Sequence, residues 1–334
     1  MRKMSHTIRT SQGSQYSRIL SVGGDRGQRV VSNDELASLI DSSDEWIQQR
    51  TGIIERRWLS DEQSPLSLSI EAGRKAVERS GIDPSQIDTV LVATASHMRQ
   101  LPSLAAELAA ALDLNDPAAV DLNAACAGFS YGVAFADSLI RTGAAHHVLL
   151  VGVDTLSQQT DLSDRSTAFL FGDAAGAVVM GPSEVPAIGP VVWGSDGHAA
   201  DVLWSDYWTD SMESGDKPVV HMEGSKVFRW ATTAIAEKAA EALEAAGLTP
   251  DQLDVFIPHQ ANNRITDSML RRLKLPESVA VSRDIRLMGN SSAASIPIAM
   301  EAMLESGEAH SGDTALIIGF GAGLVFAGQV VVLP

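Results

Sequence analysis

The chain reads as though it were written twice, and that self-similarity limits its fold more than any other feature. Ser80–Ser96 (SGIDPSQIDTVLVATAS) matches Ala246–Asn262 (AGLTPDQLDVFIPHQAN); each leaves an alanine-rich stretch through a Gly, passes a Pro-containing turn and enters an apolar run. Arg141–Asp154 pairs with Glu305–Gly321, and Phe171–Pro182 with Phe320–Pro334. Pro84 and Pro250 lie 166 positions apart, Gly143 and Gly307 164, Gly152 and Gly319 167. One such match would reflect only the shared helix–Gly–turn–strand grammar of α/β chains. Ordered matches at nearly one offset point instead to a duplicated unit. The halves are expected at 18–183 and 184–334, after a flexible segment 1–17 that lacks the apolar stretch of a secretory signal.

Helical patterns at 67–80, 103–112, 128–142, 226–246, 263–273 and 295–306 alternate with apolar runs at 89–94, 148–153, 176–180, 254–257, 315–318 and 324–332. Strands that alternate with helices belong to helix-covered sheets. Runs apolar without interruption indicate strands buried on both faces. Two such sheets sharing central helices predict an α/β body of five layers, α/β/α/β/α.

Composition matters where it closes off chemistry. A net charge of −17 argues against a nucleic-acid binder. No apolar run approaches the roughly 20 residues of a membrane span. The single cysteine excludes an internal disulfide and a multi-thiolate zinc site, and fits a reducing cytoplasm. Any thiol chemistry therefore runs through Cys126.

Cys126 precedes an almost uniformly apolar segment ending at Gly143, so its sulfur is expected at the N-terminus of a buried helix. Unpaired N–H groups there favour a thiolate. A free cysteine is also commonly just a small buried apolar residue. His259, in FIPHQANNRI, directly follows an apolar strand, where open α/β sheets place their sites; a structural histidine fits the same context. His97 is adjacent to the same region, whereas His146, His147, His198, His221 and His310 fall on expected loops. Asn290, in MGNSSAASIPIAM, suits a helix cap slightly better than a substrate donor. The glycine run 319–328 enters a terminal strand rather than a helix, which argues against dinucleotide binding.

Taken in order, AACAGFSYG, PHQANNRI, GNSSAASIP and GFGAG resemble the β-ketoacyl-acyl carrier protein synthase III family, over nearly the whole chain from Tyr16. The resemblance implies a duplicated thiolase-like fold, a cytoplasmic homodimer, and no metal or redox cofactor. It implies Cys126 as nucleophile with His259 and Asn290, and an oxyanion hole from the N–H groups of Cys126 and Ala322, the latter replacing the family's usual Gly. DEWIQQRTGI and DRSTAFLFGD imply coenzyme A contacts at Trp46, Arg50, Thr51 and Arg165. Gly224, Phe228, Asn262 and Arg264 match positions along the pantetheine tunnel. Leu101 and Phe320 match the acyl pocket, with Leu101 leaving room for a propionyl or branched starter. Arg264, Arg271 and Arg272, spaced on one helix face, with Arg229 and Lys274, suggest docking of an acidic acyl carrier protein. A second thiolase cysteine is missing, and Asn290 stands where elongating synthases carry histidine. A primer enzyme of polyketide synthesis, a thioester hydrolase and a non-catalytic subunit on the same fold remain alternatives.

Overall fold

The computed structural model describes residues 8–334; Met1–Thr7 of the expected lead-in lie outside the described residues. The lead-in also ends earlier than expected. Strand β1 (Tyr16–Arg26) begins at Tyr16, and the hydroxyl of buried Ser17 donates to Asp137 at 2.8 Å.

The first sheet contains β1, β2 (Thr89–Ala93), β3 (Ala118–Leu122), β4 (Val148–Thr155) and β5 (Asp173–Ser183) in the order β1-β5-β4-β2-β3. The second contains β6 (Val192–Ser195), β7 (Val255–Pro258), β8 (Ala280–Val281), β9 (Thr314–Gly321) and β10 (Val325–Val332) in the order β6-β10-β9-β7-β8. Each begins with two antiparallel pairings and ends with two parallel ones. The two sheets are one topology used twice.

Helix α1 (Pro65–Ser80) starts where Ser64 and Ser67 form a reciprocal cap and stops at Gly81, φ 69°. Helix α2 (Leu104–Ala111) is capped by Ser103, and Asp121 on β3 accepts its first two N–H groups at 2.8 Å. Helices α3 (Gly128–Thr142) and α6 (Ser295–Ser306) run between the sheets, ending at Gly143 and Gly307 with φ 73° and 76°. Only glycine occupies that left-handed region without strain. Phe129, Val133 and Ile140 of α3 share one apolar core with Ile296, Met300 and Met303 of α6 and with Leu150, Val178, Ile257 and Ile317 of the two sheets. Burial of each large side chain contributes about 1.5–3 kcal/mol, so this central layer dominates cohesion.

The expected single helix over 226–246 is instead a run with a widened turn. Gly224–Trp230 passes through a π-type turn at Ala231–Ile235 into α4 (Ala236–Ala245). Helix α5 (Asn263–Leu273) follows β7 directly, capped by Asn262, which accepts from Arg264 N–H. Two small antiparallel ribbons, Arg29–Ser32 with Glu55–Trp58 and Leu203–Ser205 with Val220–Met222, lie outside the main sheets.

Candidate active site

The duplication also reaches the turns that enter the two central helices. Asn123 Oδ1 accepts Ala125 N–H at 3.2 Å, and Asn290 Oδ1 accepts Ser292 N–H at 2.9 Å. In each turn the residue whose N–H is held has positive φ, 45° at Ala125 and 50° at Ser292, before a short 3₁₀ turn enters α3 or α6. The two turns meet head to head. Ser292 Oγ consequently lies 3.2 Å from Cys126 Sγ.

Cys126 is 9% exposed at the base of a cavity of about 720 Å³. The turn at its back is tight against β9: a Cβ on Gly321 would stand 2.9 Å from Cys126 Cβ and 3.1 Å from Sγ. Burial pushes the thiol up to about 12, opposed by the Ser292 hydroxyl and the residue's own N–H and reinforced by the nearby Asp154. The expected resting thiolate is therefore corrected. The N–H groups at the helix entrance do not offset the desolvation of sulfur, and the resting group is a neutral thiol.

His259, at the C-terminal end of β7, is held by its own N–H, which donates to Ile318 O at 2.8 Å. Its ring meets the edge of Phe320, with centroids 5.2 Å apart. Desolvation lowers its pKa to about 3, so the imidazole is neutral. Ser295 Oγ lies 2.7 Å from Nδ1 and accepts Gln260 N–H at 3.3 Å. Among the described residues the Ser295 hydroxyl has no acceptor other than Nδ1, so its proton is assigned there and the ring proton to Nε2.

Asn290 is not the N-cap expected from sequence, since Ser291 precedes the 3₁₀ turn and Ala294 caps α6. Its Oδ1 closes the turn onto Ser292 N–H, which fixes the amide orientation and leaves the Nδ2 donor for the cavity it lines. Its backbone is clamped to the first half, donating to Leu170 O at 2.8 Å and accepting from Gly172 N–H at 3.0 Å.

The cavity brings together Cys126, His259, Asn290, Ala322 and Phe320 with Trp46, Arg50, Thr51, Arg165, Gly224, Phe228, Asn262 and Arg264. Ala322 is not among the residues with positive φ, so a Cβ is accommodated where glycine is usual. At the mouth, the guanidinium groups of Arg50 and Arg165 stand 5.3 and 5.0 Å from the Trp46 ring, and Arg264 stands 5.0 Å from the Phe228 ring. Asn262 Nδ2 donates to Arg50 O at 3.0 Å, tying α5 to the segment that carries Trp46. Thr51 is internally engaged, its hydroxyl donating to Ile47 O and accepting Ile53 N–H.

Leu101 is the exception. It does not line the cavity of its own chain but stands 86% exposed in the segment between β2 and α2. Ser103 caps α2, and Asp121 on the outer strand β3 accepts the first two N–H groups of that helix, which ties the end of the segment to the sheet edge. His97 likewise lies outside the lining. Arg229 and Arg264 line the mouth, whereas Arg271, Arg272 and Lys274 lie beyond it; all five are exposed, and among the described residues none pairs with a carboxylate. Sequence reasoning missed Ser292, Ser295, Gly321 and Asp154. The first two stand inside the quoted GNSSAASIP, and Gly321 inside GFGAG.

The models for 3-oxoacyl-[acyl-carrier-protein] synthase III match residues 120–197 and, for its C-terminal part, 243–333. The chain is 54% identical to the β-ketoacyl-[acyl-carrier-protein] synthase III of Streptomyces glaucescens over 98% of this chain and 99% of the relative. It belongs to the β-ketoacyl-acyl carrier protein synthase III family. The mycobacterial synthase III of Mycobacterium avium is 46% identical, with 98% of both chains covered. Among solved structures, a priming β-ketosynthase of a polyketide biosynthetic pathway matches with a TM-score of 0.95 and 43% identity over 98% of this chain and 99% of that one. The synthase III of Aquifex aeolicus matches with a TM-score of 0.88 and 35% identity, covering 95% and 99%. The chain is thus a condensing acyltransferase of thiolase-like fold.

Proposed function

We propose that the protein joins an acyl-coenzyme A starter to malonyl-acyl carrier protein, releasing CO2 and coenzyme A. The observation that carries this reading is the convergence of one thiol, one neutral imidazole and one carboxamide at the base of a single deep cavity. Coenzyme A would enter between Arg165, Arg50 and Trp46 and extend past Gly224, Phe228, Asn262 and Arg264. Attack by Cys126 on the thioester would place negative charge on the carbonyl oxygen, held by the N–H groups of Cys126 and Ala322. The malonyl group then occupies the vacated tunnel. Loss of CO2 turns its thioester into an enolate, stabilised by donors from His259 Nε2 and Asn290 Nδ2. The enolate carbon attacks the acyl-cysteine. Every electron is accounted for without a redox cofactor, and no step calls for a metal.

A hydrolase would use the same nucleophile but deliver water to the acyl-cysteine. The neutral imidazole, with its proton on Nε2, favours enolate stabilisation over activation of water. Labelled acyl-coenzyme A followed by malonyl-carrier protein tests the point: β-ketoacyl product is expected, and free acid as the sole product would sink the proposal.

The exposed cations Arg229, Arg264, Arg271, Arg272 and Lys274 offer a basic rim to an acidic carrier on an otherwise acidic protein. A homodimer is supported by the unpaired outer edge of β3 and by Met98, Leu101 and Val120, apolar side chains left in solvent beside it, and a cytoplasmic location by the single free thiol, which suits a reducing compartment. Among the described residues no helix is long and apolar enough to cross a membrane. We place the boundary between the halves at 183/184, a division supported by the repeated strand order. The available space and the relatives leave fatty-acid initiation and polyketide priming as two uses of one reaction.

A further inference from the structure

Among the described residues the only hydroxyl bonded to the sulfur is that of Ser292, and none of the steps above uses it. Its Oγ donates to Cys126 Sγ at 3.2 Å, and both residues are buried. The turn that presents it is fixed on both sides: Asn290 Oδ1 accepts Ser292 N–H at 2.9 Å, and Asp154 Oδ2 accepts Ala293 N–H at 3.1 Å. Asp154 draws its other donors from the Ala95 N–H (2.9 Å), the Ser96 N–H (3.0 Å) and the Ser96 hydroxyl (2.8 Å). The Ser292 proton is directed to the sulfur.

The duplicated turns make the choice of residue informative. They correspond position by position, Asn123 with Asn290, Ala125 with Ser292 and Cys126 with Ala293. Where one half places its nucleophile the other has alanine, and where one has alanine at positive φ the other has serine. A backbone at φ 50° suits glycine or asparagine better than serine, so the turn itself does not call for a hydroxyl.

We propose that Ser292 is a catalytic residue whose hydroxyl holds the Cys126 thiolate as it forms and as it departs. The reading rests on Cys126 being the nucleophile. In the first half-reaction the S–H bond breaks and its proton passes to solvent water. The sulfur electron pair forms the Sγ–acyl bond, the acyl–sulfur bond of the donor breaks, and coenzyme A leaves as a thiolate that takes a proton from water. In the second half-reaction the enolate carbon bonds to the acyl carbon and the Sγ–acyl bond breaks. Its electron pair returns to sulfur, which regains a proton from water. Negative charge thus rests on sulfur twice per turnover, and Ser292 keeps its own proton throughout.

Little else in the site can hold that charge. Burial pushes the thiol up to about 12. The titratable groups facing the sulfur are Asp154, behind the Ser292 turn, and His259, across the cavity; the first is an acid and the second a neutral imidazole. Strand β9, packed against the same turn, carries none, and Tyr131 on α3 spends its hydroxyl on Gly194 O at 3.2 Å. Without an imidazolium beside it, a thiolate depends on neutral donors. Such a bond becomes roughly twice as strong when its acceptor is charged, so the Ser292 contact tightens as the proton leaves. An interaction that grows along the reaction lowers the barrier, whereas one equal in both states does not.

The test compares Ser292→Ala with Ser292→Gly. Alkylation of Cys126 by iodoacetamide and its acylation by acyl-coenzyme A are followed by intact mass, and malonyl decarboxylation separately. Both variants lose the hydroxyl, but glycine also relieves the positive φ. Each is expected to slow alkylation and acylation about tenfold at fixed pH, the low end for a hydrogen bond to a charged group. The pH needed for a given alkylation rate should rise by about one unit in both, because the thiolate is the species that reacts. Malonyl decarboxylation should stay within about threefold, because the enolate donors His259 and Asn290 are retained. Alkylation and acylation within about threefold of the parent, recovery of either in the glycine variant alone, or an equal loss of decarboxylation would overturn the role of the hydroxyl. A parent enzyme that is alkylated but not acylated would instead overturn the nucleophile assignment.

Discussion

Gly321 supplies the sharpest single test of how the site is assembled. It is the last residue of β9 and is registered against Val325 of β10, so its backbone cannot retreat. Opposite it, Cys126 sits in the turn at the head of the buried helix α3. A methyl at position 321 would lie 2.9 Å from Cys126 Cβ, 3.0 Å from its N and 3.1 Å from Sγ. Ordinary carbon contacts need about 3.5–4.0 Å, so the overlap with Cys126 Cβ is roughly 0.6–1.1 Å against two rigid elements. Gly321→Ala should therefore cost about 1–3 kcal/mol of stability as overpacking. Relief by displacing sulfur moves it a large fraction of an ångström from the line of attack on a bound thioester, and misplacement on that scale costs about 10²-fold in rate. Rapid-quench acylation with mass detection should show that loss, while malonyl decarboxylation falls less, because the three nearest contacts of position 321 are all with Cys126. Parent-like acylation, within about threefold, would refute the claim that this strand end sets the sulfur's position.

His259→Ala or Asn290→Ala should depress malonyl decarboxylation about 10²–10³-fold and Cys126 acylation far less, measured by CO2 release and intact mass; equal losses would contradict their assignment to the enolate. His259 also makes an acid-stability prediction. Its folded pKa near 3 lies below the unfolded value of 6.5, so the unfolded chain binds the extra proton between those limits. Stability is complete above pH 6.5 and is lost as pH falls, by about 1.4 kcal/mol per unit. Urea titrations at pH 6.5 and 5 should show about 2 kcal/mol more acid loss for the parent than for His259→Gln, and no difference would refute a neutral buried ring. Charge reversal at Arg271 and Arg272 should raise KM for the carrier substrate and flatten its salt dependence, leaving acylation by acyl-coenzyme A unchanged, because neither residue lines the cavity.

The elements legible in the chain share a physical property. Central strands such as Val148–Thr155 and Thr314–Gly321 are covered on both faces and so are written in nearly unbroken apolar residues. The four strands absent from the pattern, Tyr16–Arg26, Ala118–Leu122, Val192–Ser195 and Ala280–Val281, are the outer strands of the two sheets; exposure dilutes the apolar signal in Ala118–Leu122 and Val192–Ser195, whereas Tyr16–Arg26 is largely buried but is interrupted by Ser17, Ser21, Gly23 and Gly24. The break at Ala231–Ile235 was equally hidden, since a widened turn keeps the composition of a helix.

Repetition at an offset near 166 determined the doubled sheet, and the order of short motifs determined the reaction, because both are properties of local sequence. The state of the groups came only from packing. Cys126 is uncharged because the sulfur is desolvated, which no neighbour along the chain reveals. His259 carries its proton on Nε2 because Ser295, 36 positions away, is held against Nδ1. Leu101 lies outside the cavity of its own chain because the capped helix α2 draws its segment toward the sheet edge. Ser292 meets Cys126 only because two equivalent turns, distant in sequence, close on each other at the centre of the molecule.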